Sequence, residues 1–94
     1  MRLTKDEILT LKLALEKLDP YADLYLFGSR VDDSKQGGDI DLLVISKKLT
    51  LDELINVRWV FYDKFGEQKM DLILDDGSLK TAFVKKISPG AIKL

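Results

Sequence analysis

The sequence predicts one small domain of mixed α/β (α+β) class over residues 1–94, a two-layer arrangement with helices flanking a mixed sheet of three strands or slightly more. Three observations predict it. Two capping boxes open amphipathic helices. Short apolar runs of strand length alternate with those helices. The connections between strands come in two lengths, one too short for a parallel crossover and one long enough to hold a whole helix.

The first helix begins at Thr4-Lys5-Asp6-Glu7, where Thr4 caps and Glu7 reaches back, with Leu3 and Ile8 at the hydrophobic-staple positions. Ile8, Leu11, Leu15 and Leu18 recur at helical spacing, and Asp19-Pro20 ends the element. Residues 22–27 read as a strand that runs into Gly28-Ser29. A polar connection over 30–38, with room for a short helical turn, leads to a second strand over 39–45. Thr50-Leu51-Asp52-Glu53 is the second capping box, with Leu49 and Leu54 as its staple, and its helix stops before Gly66. Residues 69–74 form a third strand, and 78–87 a last helix closed by Pro89-Gly90.

The short connection makes the first two strands antiparallel. The second and third, joined through a helix, run parallel by a right-handed crossover. Gly28-Ser29 at the end of the first strand therefore lies beside Asp39 at the start of the second. Asp71, near the start of the third, falls at the same end of the sheet.

Composition narrows the chemistry available at that end. There is no Cys and no His, which excludes disulfides, thiolate nucleophiles, Ser-His-Asp triads and His-ligated metals. Twelve of the sixteen acidic residues are Asp, a residue set that suits an oxygen-ligated Mg ion. The net charge of −1 offers no broad footprint for duplex nucleic acid. The longest apolar runs, 42–45 and 59–62, cannot span a bilayer, and the N-terminus does not read as a signal peptide; the expectation is a cytoplasmic protein.

Asp39-Ile40-Asp41 carries the functional reading. Alternate strand residues share a face, so both carboxylates point together while Ile40 enters the core. Neighbouring carboxylates repel unless a cation sits between them. The same pattern also fits two acids that simply begin a strand in solvent. Asp71 sits in the otherwise apolar Met70-Asp71-Leu72-Ile73-Leu74, where it needs a cation or a basic partner. Gly28, Ser29 and Arg30 offer backbone amides, a hydroxyl and a guanidinium to a phosphate chain, or Ser29 merely caps a short helix. Asp32 and Asp33 oppose an anion in that turn.

Gly28-Ser29-Arg30, then Asp39-Ile40-Asp41-Leu42-Leu43-Val44, then Asp71 in a third strand resemble the nucleotidyltransferase domain of the DNA polymerase β superfamily, above all its minimal members. The Gly-Ser to Asp spacing is one residue shorter than in many of them. The resemblance implies a polymerase-β-type fold. It further implies that Asp39 and Asp41 hold Mg on a nucleoside triphosphate, ATP by preference, while Gly28, Ser29 and Arg30 position phosphates. Asp71 would complete a second Mg site or take the acceptor's proton. Attack on the α-phosphorus would move a nucleoside monophosphate to a hydroxyl. Minimal members often pair as antitoxins with HEPN-domain toxins, some transferring AMP to a toxin Tyr. The resemblance thus implies a hetero-oligomer with such a toxin.

A partner is also expected on physical grounds. The apolar residues of the Thr50 helix, among them Trp59, Phe61 and Tyr62, span more than half its circumference, too much for one small core. Trp59 and Tyr62 either face a partner or lie over the sheet edge. Leu9 and Leu13 add a second apolar patch, and Arg58, inside the arc, is expected to pair with a carboxylate. Two other functions compete: a binding module that neutralises its partner by contact alone, and a transferase for a small hydroxylated molecule.

Overall fold

The computed structural model describes residues 2–32, 34 and 38–94. Asp33, weighed above with Asp32, lies outside the described residues. Both capping boxes form. Thr4 Oγ1 accepts from the Glu7 N–H at 3.1 Å, and Glu7 accepts in return from the Thr4 N–H at 2.8 Å, opening α1 (Lys5–Leu18). Thr50 and Glu53 repeat the exchange at the start of α2 (Leu51–Phe65), which ends on Gly66 at a φ of 89°.

The strands are β1 (Asp23–Phe27), β2 (Ile40–Ile45), β3 (Met70–Asp75) and β4 (Ile92–Lys93), in the sheet order β3-β2-β1-β4. β1 runs antiparallel to β2, and β2 parallel to β3, as expected. β4 is an addition: two residues pair antiparallel with β1, extended by the Leu94 N–H donating to the Leu24 carbonyl at 2.9 Å. A four-residue 3-10 helix, Gly28–Val31, follows β1.

Alternation along the strands separates two faces. Leu24, Leu26, Ile40, Leu42, Val44 and Met70 point to α1 and α2 and meet Leu11, Leu15, Leu54, Val57 and Phe61 in the main core. Phe27 and Leu43 point the other way, where α3 (Ala82–Ile87) lays Val84 over them. The helices thus lie on both faces, with the six-residue α3 as a partial cover on the second.

α3 begins four residues later than the expected 78. The buried Asp75 carboxylate accepts from the Gly77 and Leu79 N–H groups at 2.7 and 3.2 Å, and Leu79 takes a φ of 53°, so the chain loops before it turns. Thr81 is the actual cap, accepting from the Val84 N–H at 3.2 Å. Arg58 finds a structural partner, but not a carboxylate: Nη2 donates to the Met70 carbonyl at 2.8 Å, and its buried Nε has no hydrogen-bond partner. Trp59 is 61% exposed and meets Tyr62 edge-on at 5.9 Å rather than lying flat on the sheet. Among the described residues, no helix is long and apolar enough to cross a membrane.

Candidate active site

Strand register assembles the site. Phe27 on β1 pairs with Asp41 on β2, and Asp41 pairs with Asp71 on β3. Asp41 and Asp71 thus stand side by side on the α3 face, at the end of the sheet where β1 leaves it. Asp41 is half-buried and Asp71 exposed. Asp39 immediately precedes β2 and shares the parity of Asp41, so it lies on the same face.

The chain leaves β1 at Gly28 with a φ of 79°. A Cβ there would overlap the Asp41 carboxylate, so glycine is required both by the left-handed backbone and by the close approach. Ser29 stands on the following 3-10 helix, half-buried. Gly38, at a φ of 90°, brings the returning chain against the Ser29 side chain, whose Oγ a Cβ would overlap.

Arg30 is occupied elsewhere. Its Nη1 donates to the Arg2 carbonyl at 3.0 Å, Nη2 to Gln68 Oε1 at 3.3 Å and Nε to the Gly38 carbonyl at 3.4 Å. Arg2 reciprocates: its backbone N–H donates to the Arg30 carbonyl at 2.8 Å and its Nη2 to the Ser29 carbonyl at 3.0 Å. The two arginines brace the Gly28-Ser29 turn against the N-terminal segment and the approach to β3.

The crowding of acids shows at Asp41. Burial, first, then the Asp71 carboxyl within hydrogen-bonding reach, and then the charges of Asp71 and Asp39 push Asp41 from 3.8 up to about 6. Lys69 partly offsets this. Its Nζ lies 3.4 Å from Asp39 Oδ2, and that hydrogen bond, with the charges of Asp39 and Asp71, pushes the lysine upward. Lys69 was not among the residues singled out from the sequence. The signal was there, because Lys69 and Asp71 are two apart and share a strand face.

Paired oxygen donors suit a hard divalent cation, with Asp41 and Asp71 as the matched pair and Asp39 at the same end of the sheet. Among the described residues, no three His, Cys, Asp or Glu side chains converge as a metal-binding group. The structure pairs Asp41 with Asp71 against Gly28, sets Asp39 on Lys69 at the same end of the sheet, places Ser29 next along the turn, and leaves Arg30 in a brace.

Over residues 8–91 the sequence matches the family model of the nucleotidyltransferase domain. The chain belongs to that family. No curated protein matches the sequence. Domains of this family generally use nucleoside triphosphates and divalent metals, in keeping with the oxygen donors of this nucleotidyltransferase domain. Among the described residues, its four-stranded mixed sheet with three α-helices fits the polymerase-β-type fold.

Proposed function

We propose that this nucleotidyltransferase domain uses Mg to transfer AMP from ATP to a protein hydroxyl, a Tyr of a HEPN-domain toxin, and so acts as its antitoxin. The observation that carries the catalytic part is the Asp41–Asp71 pairing beside the Gly28-Ser29 turn. Carboxylates so close would repel a triphosphate, so the nucleotide must arrive with its counter-ion. Mg would supply that neutralising charge, held by the paired Asp41 and Asp71 with Asp39, now on Lys69, turning in beside them, and these oxygen donors suit two ions. The Gly28 and Ser29 backbone amides and the Ser29 hydroxyl are donors on the turn that closes against Asp41, and they hold the phosphates.

Asp71 is the exposed member, on the edge strand β3, where an acceptor hydroxyl can approach. It takes the hydroxyl proton as the oxygen attacks the α-phosphorus and pyrophosphate leaves. The polyphosphate is oriented by the turn that Arg2 and Arg30 brace.

A second reading, neutralisation by contact alone, is favoured by one observation. Leu9, Leu13, Trp59 and Val60 are exposed on α1 and α2, the helices that cover the sheet face opposite the acids. Incubation with Mg, α-labelled ATP and the product of the neighbouring gene distinguishes the readings. Label on a partner Tyr supports transfer; complex formation and neutralisation without label support contact alone.

A further inference from the structure

Among the described residues, the end of the sheet holds the carboxylates of Asp39, Asp41 and Asp71 and the ammonium of Lys69. Lys69 and Asp39 are fixed neighbours, since each directly precedes its strand and the Ile40 N–H donates to the Lys69 carbonyl at 3.1 Å. The Lys69 Nζ lies 3.4 Å from Asp39 Oδ2, and its charge also acts on Asp41 and Asp71. Among the described residues no three metal-binding side chains converge, and the Asp39 carboxylate is paired with the ammonium instead. Asp39 therefore has two competing destinations, the ammonium or a shared cation.

We propose that Lys69 is the resident counter-ion of the carboxylate cluster, a positioning residue that holds Asp39 aside until a divalent cation takes its place. The inference rests on the metal-dependent reading above. The lysine side chain is 70% exposed on a flexible four-carbon stem, so it can withdraw into water without disturbing the core. A cation entering the cluster must both displace this ammonium and work against its field. Lys69 thus weakens the affinity for free metal and stabilises the metal-free site by relieving repulsion among the acids.

The test is a calorimetric titration of Mn(II) into the folded protein without nucleotide, at fixed ionic strength. Wild type is compared with Lys69→Met, Lys69→Arg and Asp41→Asn. Lys69→Met keeps much of the stem and removes the charge; it should bind the metal roughly three- to tenfold more tightly. Lys69→Arg should stay near wild type, and Asp41→Asn should lose binding. A variant with merely impaired structure would bind less metal, not more. Thermal unfolding of Lys69→Met checks that the fold is retained. Should Lys69→Met bind Mn(II) equally or more weakly while Asp41→Asn abolishes binding, the counter-ion role is overturned and the metal site stands. Should wild type fail to bind, or Asp41→Asn bind like wild type, the metal reading itself falls, and this inference with it.

Discussion

Asp41 and Asp71 stand opposite each other on adjacent parallel strands, each the second residue of its strand. Matched register, not proximity in sequence, brings these carboxylates together, and burial, followed by the Asp71 carboxyl beside it, pushes Asp41 up to about 6. Between about pH 4 and 6 an unfolded chain ionises Asp41 while the folded protein keeps its proton. The folded state then binds more protons, so this group's contribution to stability falls as pH rises through that window and is at its most unfavourable above it. Much of the group meets solvent, so the effect is about 1 kcal/mol after screening. Asp41→Asn should therefore be more stable than wild type at neutral pH, with the difference fading toward pH 4 in urea unfolding. A difference that grows on acidification would refute the assignment.

Gly28→Ala tests the approach of the turn to Asp41. The backbone is left-handed and the new methyl overlaps the carboxylate. Strain and overlap together should cost about 1–3 kcal/mol in denaturant unfolding. Nucleotide binding should fall with it, because the acid and the turn are forced apart.

Arg30 separates a brace from a phosphate ligand. Lys in its place keeps the charge but cannot span the Arg2 and Gly38 carbonyls and Gln68 together. Arg30→Lys should lose about 1–2 kcal/mol of stability, measured by urea unfolding without ligand. Weakened nucleotide binding at unchanged stability would instead make Arg30 a direct phosphate contact.

Trp59→Ala should change stability by no more than about 1 kcal/mol, since the ring is largely exposed and its edge-on contact with Tyr62 is modest. Affinity for the partner should drop roughly tenfold or more while nucleotide affinity stays the same. Surface plasmon resonance with the partner and calorimetry with nucleotide give the two halves of that comparison.

What the sequence made legible was local or periodic. Both capping boxes use residues three apart, and both formed. The direction of each strand pair followed from connection length, and the meeting of Asp41 with Asp71 followed from direction. The features missed depend on contacts between distant residues. β4 is two residues after Pro89-Gly90, too short for any alternation to register. The delayed start of α3 depends on a buried Asp75 carboxylate capturing two backbone donors, an alternative to the helix that Ser78 alone does not reveal. Ser46 Oγ donates to Asp19 Oδ2 at 2.7 Å, a buried tie between the turns after α1 and β2 that spans 27 positions. The arginine brace is equally non-local: Arg2 and Arg30 lie far apart in the chain, and their acceptors are mostly backbone carbonyls, which carry no residue signature.

The central claim is that these aspartates and the Gly28-Ser29 turn form a metal-dependent nucleotide site. Calorimetric titration of ATP into the protein, with and without Mg, tests it most directly when wild type is set beside the Asp39→Asn, Asp41→Asn double variant. Removing a repulsive pair should leave the fold intact, confirmed by an unchanged circular dichroism spectrum. Wild type should bind ATP only with Mg, and the double variant should lose that binding by roughly a hundredfold or more. Equal Mg-ATP affinity in wild type and a folded double variant would contradict the account.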